Sequence, residues 1–131
     1  MKTIGPELTA WDALTNEDAE RRVLASAMLS SECVYRILPI LKPESFSLDS
    51  HRRIYRVISE LATNGKPVDE AIVADELQKS GELNSIGGSA YLSHLTDQVV
   101  TGELARALNV EHQARVIVDK AARRYSLPRR D

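Results

Sequence analysis

Apolar residues recur at intervals of three and four along most of this chain, and that spacing leaves little choice of fold. Side chains three and four apart share one face of an α-helix, whereas a half-buried strand needs strict alternation. Ala19, Val23, Leu24, Ala27 and Met28 form one stripe, with Glu20, Arg21 and Arg22 read as lying outside it. Ile54, Val57, Ile58 and Leu61 form a second, and Leu104, Ala107, Val110, Ala114, Ile117 and Ala121 a third. No segment alternates convincingly. The expected fold class is all-α, a compact bundle of about five helices followed by one long helix.

Capping and breaking residues divide the stripes. Thr15-Asn16 precedes the acids Glu17 and Asp18, which complement the positive end of a first helix. Ser30-Ser31-Glu32 restarts the chain, and Val34, Ile37, Leu38 and Leu41 continue as a short second helix, bent or shortened by Pro39 and ended by Pro43. Phe46 sits in a connector, where an aromatic plugs the top of a core. A third helix runs from about Leu48 to Thr63 and stops at Asn64-Gly65 before Pro67. Asp69 caps a fourth, with Ile72, Val73 and Leu77 inward and Gly81 closing it; after the Gly87-Gly88 turn, Tyr91, Leu92 and Leu95 mark a fifth. The organisation expected is an arm over residues 1–15, which Trp11 pins, a helical head over 16–100, and a linker with a long helix and basic tail over 101–131. The stripe on that long helix is narrow enough for a coiled-coil-like partner or for packing back on the body, and its spacing does not choose between them.

Charge narrows the function classes. The formal net charge of -2 hides a tail from Lys120 onward that carries +4, so the first 119 residues carry -6. An acidic body repels phosphate backbones, and little direct nucleic-acid binding is expected beyond the tail. A small helical DNA-binding regulator is the alternative reading, because helical domains often carry a helix-turn-helix. No apolar run reaches the roughly 18 to 20 residues of a membrane span, and the N-terminus lacks a signal-peptide layout, so a cytoplasmic location without membrane contact is expected. Cys33 has no partner for an internal disulfide.

The residues of nucleotide and metal chemistry do not assemble in the sequence. A phosphate loop needs glycines that bring backbone amides around the phosphates, then Lys and Ser/Thr; Gly65-Lys66 is followed by Pro67 and has no glycine five positions upstream. Gly87-Gly88 lacks a preceding strand and reads as a helix-entry turn. His51, His94 and His112 are too far apart for a helical metal pair, and His94 with Asp97 or Glu111 with His112 has no nearby nucleophile. No catalytic, cofactor-binding or metal-binding residue is assigned.

The order of four segments resembles the N-terminal domain of DnaB-type bacterial replicative DNA helicases. Asn16 to Leu29 is similar to that family's opening helix, with its E-A-E-x-x-V-L-G-A-x-L pattern, although Asp18 departs from it. Leu41-Lys42-Pro43-Glu44-Ser45-Phe46 followed by His51-Arg52-Arg53-Ile54-Tyr55 is similar to L-x-P-E-D-F and H-x-x-I-F, which makes His51 a structural residue. Gly65-Lys66-Pro67-Val68-Asp69, continuing to Gly81-Glu82-Leu83, and Ile86-Gly87-Gly88-Ser89-Ala90-Tyr91-Leu92 resemble two further signatures. Asn109-Val110-Glu111 and Ala114 to Val118, with Lys120, Arg123 and Arg124, resemble the first arm of a helical hairpin, so the likeness spans roughly Asn16 to Arg124.

This resemblance implies a scaffold and protein-interaction domain that works in DNA replication, ring assembly and primase docking. It implies pairing through the hairpin as a dimer or within a hexamer, contact with the primase C-terminal helicase-binding domain, and contact with a helicase loader. ATP and magnesium would bind a separate C-terminal motor domain, so this chain is expected to be no enzyme by itself and to hold no cofactor, while the full-length parent would be an ATP-dependent helicase. Tyr91 is the candidate primase contact, and Leu104, Ala107, Val110, Ala114, Ile117 and Ala121 are the candidate helix-pairing stripe. Two departures stand out: Thr101 to Leu108 is longer than the family's usual link, and the segment after Arg124 runs into Pro128 where a second hairpin helix normally follows, which reads as a shortened hairpin.

Overall fold

The computed structural model describes residues 15–97 and 103–126, with only the backbone of 103–108. Among the described residues there are six α-helices and no strand: α1 Glu17–Leu29, α2 Ser31–Ile37, α3 Asp49–Thr63, α4 Glu70–Lys79, α5 Gly88–Asp97 and α6 Glu103–Ser126. Short 3-10 turns occupy Pro43–Ser45 and Asn84–Ile86. The all-α expectation holds. The arm, including Trp11, and the link at 98–102 lie outside the described residues.

Caps set the helix starts where the sequence places them. The Asn16 side chain accepts the Ala19 N–H at 3.0 Å, and the Asp69 carboxylate accepts the Ile72 N–H at 2.8 Å, each satisfying one amide that a first helical turn leaves unpaired. The second helix is shorter than the sequence suggests. It ends at Ile37, with Leu38 as its C-cap, because Pro39 has no N–H to continue the ladder. Leu41, assigned to that helix from its spacing, is buried in the turn beyond it.

One core joins all six helices. Val23 and Leu24 from α1, Ile37 from α2, Ile54 and Ile58 from α3, Leu77 from α4, Leu92 and Leu95 from α5, and Ile117 from α6 are essentially fully buried and belong to one hydrophobic cluster. Phe46 plugs this core as expected: it is fully buried, tilted against Tyr55 at 5.1 Å between ring centroids.

The long helix packs back on the body, mainly against α1 and α2. Val110, Ala114, Ile117 and Ala121 are at most 6% exposed within the single chain. Of the two readings the spacing leaves open, the structure shows packing on the chain's own core, so the described part of the candidate pairing stripe is already occupied. Small Ala114 and Ala121 let α6 approach closely enough to bury the larger side chains between them. Leu104 and Ala107 lie on the same helix, but their side chains are outside the described residues. Polar contacts strap α6 along its length. Arg36 of α2 donates to Glu111 at 3.0 Å, Arg124 donates to the Ser45 carbonyl at 3.0 Å, and the Tyr125 hydroxyl donates to the Glu44 carbonyl at 2.8 Å. Val110, Ala114 and Ile117 of the long helix therefore belong to the same core as the helices before it.

Candidate functional site

Three polar side chains from separate helices meet inside the head. Glu20 of α1 and His51 of α3 are 1% and 0% exposed, and Tyr91 of α5 is half-buried beside them. Glu20 Oε1 lies 2.7 Å from His51 Nδ1, and His51 Nε2 lies 2.6 Å from the Tyr91 hydroxyl. The Ser47 N–H donates to Glu20 Oε2 at 2.8 Å. Both ring nitrogens of His51 and both oxygens of Glu20 therefore have partners, as deep burial of polar groups requires.

Local structure holds the three in place. Arg52 donates to the carbonyls of Phe46 and Ser47 at 2.9 and 3.0 Å, fixing the connector whose Ser47 amide reaches Glu20. Phe46 stands edge-on to His51 at 6.4 Å. Gly87, at φ 105°, turns the chain into α5, and a Cβ there would come within 3.0 Å of Tyr91 Cβ. Glycine thus allows α5 to begin close to the turn that precedes it. Gly87-Gly88 is a helix-entry turn, as the sequence suggests. Glu70 of α4 receives hydroxyl hydrogen bonds from Ser93 and from Thr96 at 2.8 Å, which anchors the far side of α5.

Electrostatics favour a fixed carboxylate over a reactive centre. Burial pushes the Glu20 carboxyl up, but the hydrogen bonds from His51 and the Ser47 amide outweigh it and hold the group below the ordinary carboxylate value. Burial pushes the Tyr91 hydroxyl up, away from the phenolate a nucleophile would need, while Arg21 pulls it down and Glu17 and Glu20 push it up more weakly. Tyrosine, histidine and glutamate in line have the order of a general-base relay, yet the group at its end is a poor nucleophile. His94 is exposed and stacks on Tyr91 at 6.4 Å, and Glu111 pairs with Arg36 rather than with its neighbour His112. Among the described residues, no group of three or more His, Cys, Asp or Glu is placed to hold a metal ion.

The sequence identifies His51 as structural and Tyr91 as notable, but it misses Glu20. The expectation that Glu20 lies outside the apolar stripe does not hold: it is 1% exposed. Its spacing to Val23, Leu24 and Ala27 puts it on the buried face, and a buried carboxylate at such a position asks for a partner.

The three side chains come from different quoted segments: Glu20 from the opening helix, His51 from the segment that follows Phe46, and Tyr91 from the Gly-Gly segment. A family model described as the DnaB-like helicase N terminal domain matches residues 12–119. The chain belongs to that family. Curated replicative DNA helicases DnaB from Rhodothermus marinus and Geobacillus stearothermophilus are 40% and 37% identical over 107 residues, 82% of this chain in each case. The chain spans only 11% and 22% of their lengths.

Solved structures agree with this family placement. The N-terminal domain of DnaB helicase from Mycobacterium tuberculosis superposes with a TM-score of 0.75 at 34% identity, over 82% of this chain and 71% of that one. A DnaB-like replicative helicase described together with its interactions with primase superposes with a TM-score of 0.71 at 26% identity, over 84% of this chain and 25% of that one. Among the described residues no helix is long and apolar enough to cross a membrane.

Proposed function

We propose that this DnaB-like domain serves as the N-terminal scaffold and partner-docking part of a replicative DNA helicase, and that it hydrolyses nothing by itself. The observation that carries this reading is the superposition over 84% of the chain on a DnaB-like helicase known with its interactions with primase. The partner proposed is the C-terminal helicase-binding domain of primase, with Tyr91 and the adjacent surface of α5 as the contact. Nucleotide and magnesium chemistry belongs, on this reading, to a motor domain, since the sequence here has no phosphate loop. The site of action proposed is the cytoplasm.

Self-association is assigned to a different face of α6 from the one its apolar stripe suggests. The buried stripe is occupied by the head, whereas Arg115, Val118, Ala122 and Tyr125 are exposed and follow one another at spacings of three, four and three. That spacing puts them on one exposed face of the helix, which is the face proposed for self-association, and Val118 and Tyr125 are 36% and 68% exposed. Calorimetric titration of the chain with the primase helicase-binding domain tests the docking reading. It expects saturable heat that Tyr91→Ala weakens several-fold; absence of any saturable heat contradicts it.

A further inference from the structure

Of the three networked side chains only Tyr91 reaches the surface: Glu20 and His51 are 1% and 0% exposed, and Tyr91 is half-buried. Little on its own helix holds it there. The turn before it reads Gly87-Gly88-Ser89-Ala90, so no bulky side chain three or four residues back fences the ring. The ring beside it, His94, is itself exposed and lies 6.4 Å away between centroids. A tyrosine flanked in this way ordinarily samples more than one staggered rotamer.

The restraint comes from inside the head. The hydroxyl oxygen of Tyr91 lies 2.6 Å from His51 Nε2, the other ring nitrogen of His51 lies 2.7 Å from Glu20 Oε1, and the second oxygen of Glu20 is held by the Ser47 N–H at 2.8 Å. Phe46 closes on the imidazole edge-on. These contacts fix the tip of the tyrosine whichever atom of each pair carries the proton. At the other end, buried Leu92 and Leu95 and the bonds from Ser93 and Thr96 to Glu70 fix the backbone of α5. A side chain tethered at its tip and at its Cα is confined to one χ1 well.

We propose that His51 and, through it, Glu20 are positioning residues for docking, which hold Tyr91 in a single rotamer so that its half-buried ring meets a partner already ordered. The inference rests on the reading of Tyr91 as the primase contact. Both positioning residues are buried, so a partner touches neither. An anchor ordered beforehand avoids the cost of immobilising a side chain on binding. Releasing the tip should therefore weaken docking about two- to tenfold, although the ring remains.

Two variants and two measurements test this. Tyr91→Phe removes the tip contact and keeps the ring, while Glu20→Met keeps the length of the side chain and removes the oxygens that hold His51. Three-bond NMR couplings to the aromatic Cγ report the χ1 rotamer at position 91 in the free chain, and calorimetric titration with the primase helicase-binding domain reports affinity. The native chain should show one rotamer, and both variants an average. Val34→Ala, which truncates the buried core on α2 instead, should keep the single rotamer. Docking should weaken about two- to tenfold in each of the two variants, and the double variant should bind no more weakly than Tyr91→Phe. Averaging in the native chain overturns the inference, as does a single rotamer kept in Tyr91→Phe or averaging in Val34→Ala as well. Docking that Tyr91→Ala weakens and Tyr91→Phe leaves intact overturns it too, and losses that add in the double variant overturn the role of Glu20. Absence of docking by the native chain, or docking that Tyr91→Ala leaves unchanged, contradicts the primase reading, and the rotamers of the free chain still decide whether the tyrosine is held. Should Glu20→Met fail to fold, Tyr91→Phe decides alone.

Discussion

The hydroxyl of Tyr55 in α3 donates to the carbonyl of Leu41, fourteen residues earlier, at 3.0 Å, and both residues are buried. This bond ties the end of the turn after α2 to the middle of the core helix, and burial pushes the Tyr55 hydroxyl far from ionising. Tyr55→Phe keeps the ring against Phe46 but leaves a buried carbonyl unpaired. The expected loss is about 1 to 2 kcal/mol, read as a shift of the urea midpoint at unchanged slope.

Neighbouring positions on α6 should respond oppositely. Ile117 is 1% exposed and Val118 is 36% exposed. Ile117→Ala should cost about 2 to 4 kcal/mol by leaving a cavity between α6 and the head, and Ala114→Glu should also unfold the chain rather than merely oppose pairing. Val118→Glu should change stability by no more than about 0.5 kcal/mol while weakening self-association. Thermal melts and sedimentation velocity on the same samples separate the two effects.

Glu20 should give the chain a defined sensitivity to acid. Its carboxyl is held below the ordinary 4.5 in the folded state, so the unfolded chain takes up a proton first as the pH falls. The stability it contributes is complete above about 4.5 and is lost as the pH drops through the lower folded value. Glu20→Gln should cost about 1.5 to 3 kcal/mol at neutral pH, since it removes the charge from the acceptor of buried hydrogen bonds, and should flatten the decline below 4.5. Denaturant midpoints measured from pH 7 downward for both proteins check the sign.

Gly87→Ala should be costly, although it adds only a methyl group. The position has φ 105°, and the new Cβ would meet Tyr91 Cβ at 3.0 Å. A loss of about 1 to 3 kcal/mol is expected, with a changed environment for Tyr91 visible in its NMR resonances. The same substitution at Gly81, where a Cβ meets nothing within 4 Å, should carry only the backbone penalty of its positive φ.

Much of this fold was legible because its signals are local. Asn16 and Asp69 cap the helices they precede, Gly65 and Pro67 end α3, and the stripes on α1 and α3 face the core. The end of α2 was less legible. Leu38 and Leu41 keep helical spacing past Pro39, and only the missing proline amide says that the helix has stopped. The α6 stripe reads equally as a seam or as a core face, because spacing reports that one side is apolar and not what covers it. The Glu20–His51–Tyr91 network is a tertiary event. Its members lie 31 and 40 residues apart, and nothing local to Glu20 announces the histidine that meets it.

The most direct test of a partner-docking scaffold is the mass of the purified chain by light scattering over a concentration series, alone and with the primase helicase-binding domain. The account predicts a concentration-dependent rise above the monomer mass that Val118→Glu suppresses, and a further rise when the primase domain is added. A strict monomer whose mass is unchanged by the primase domain at every concentration would contradict it.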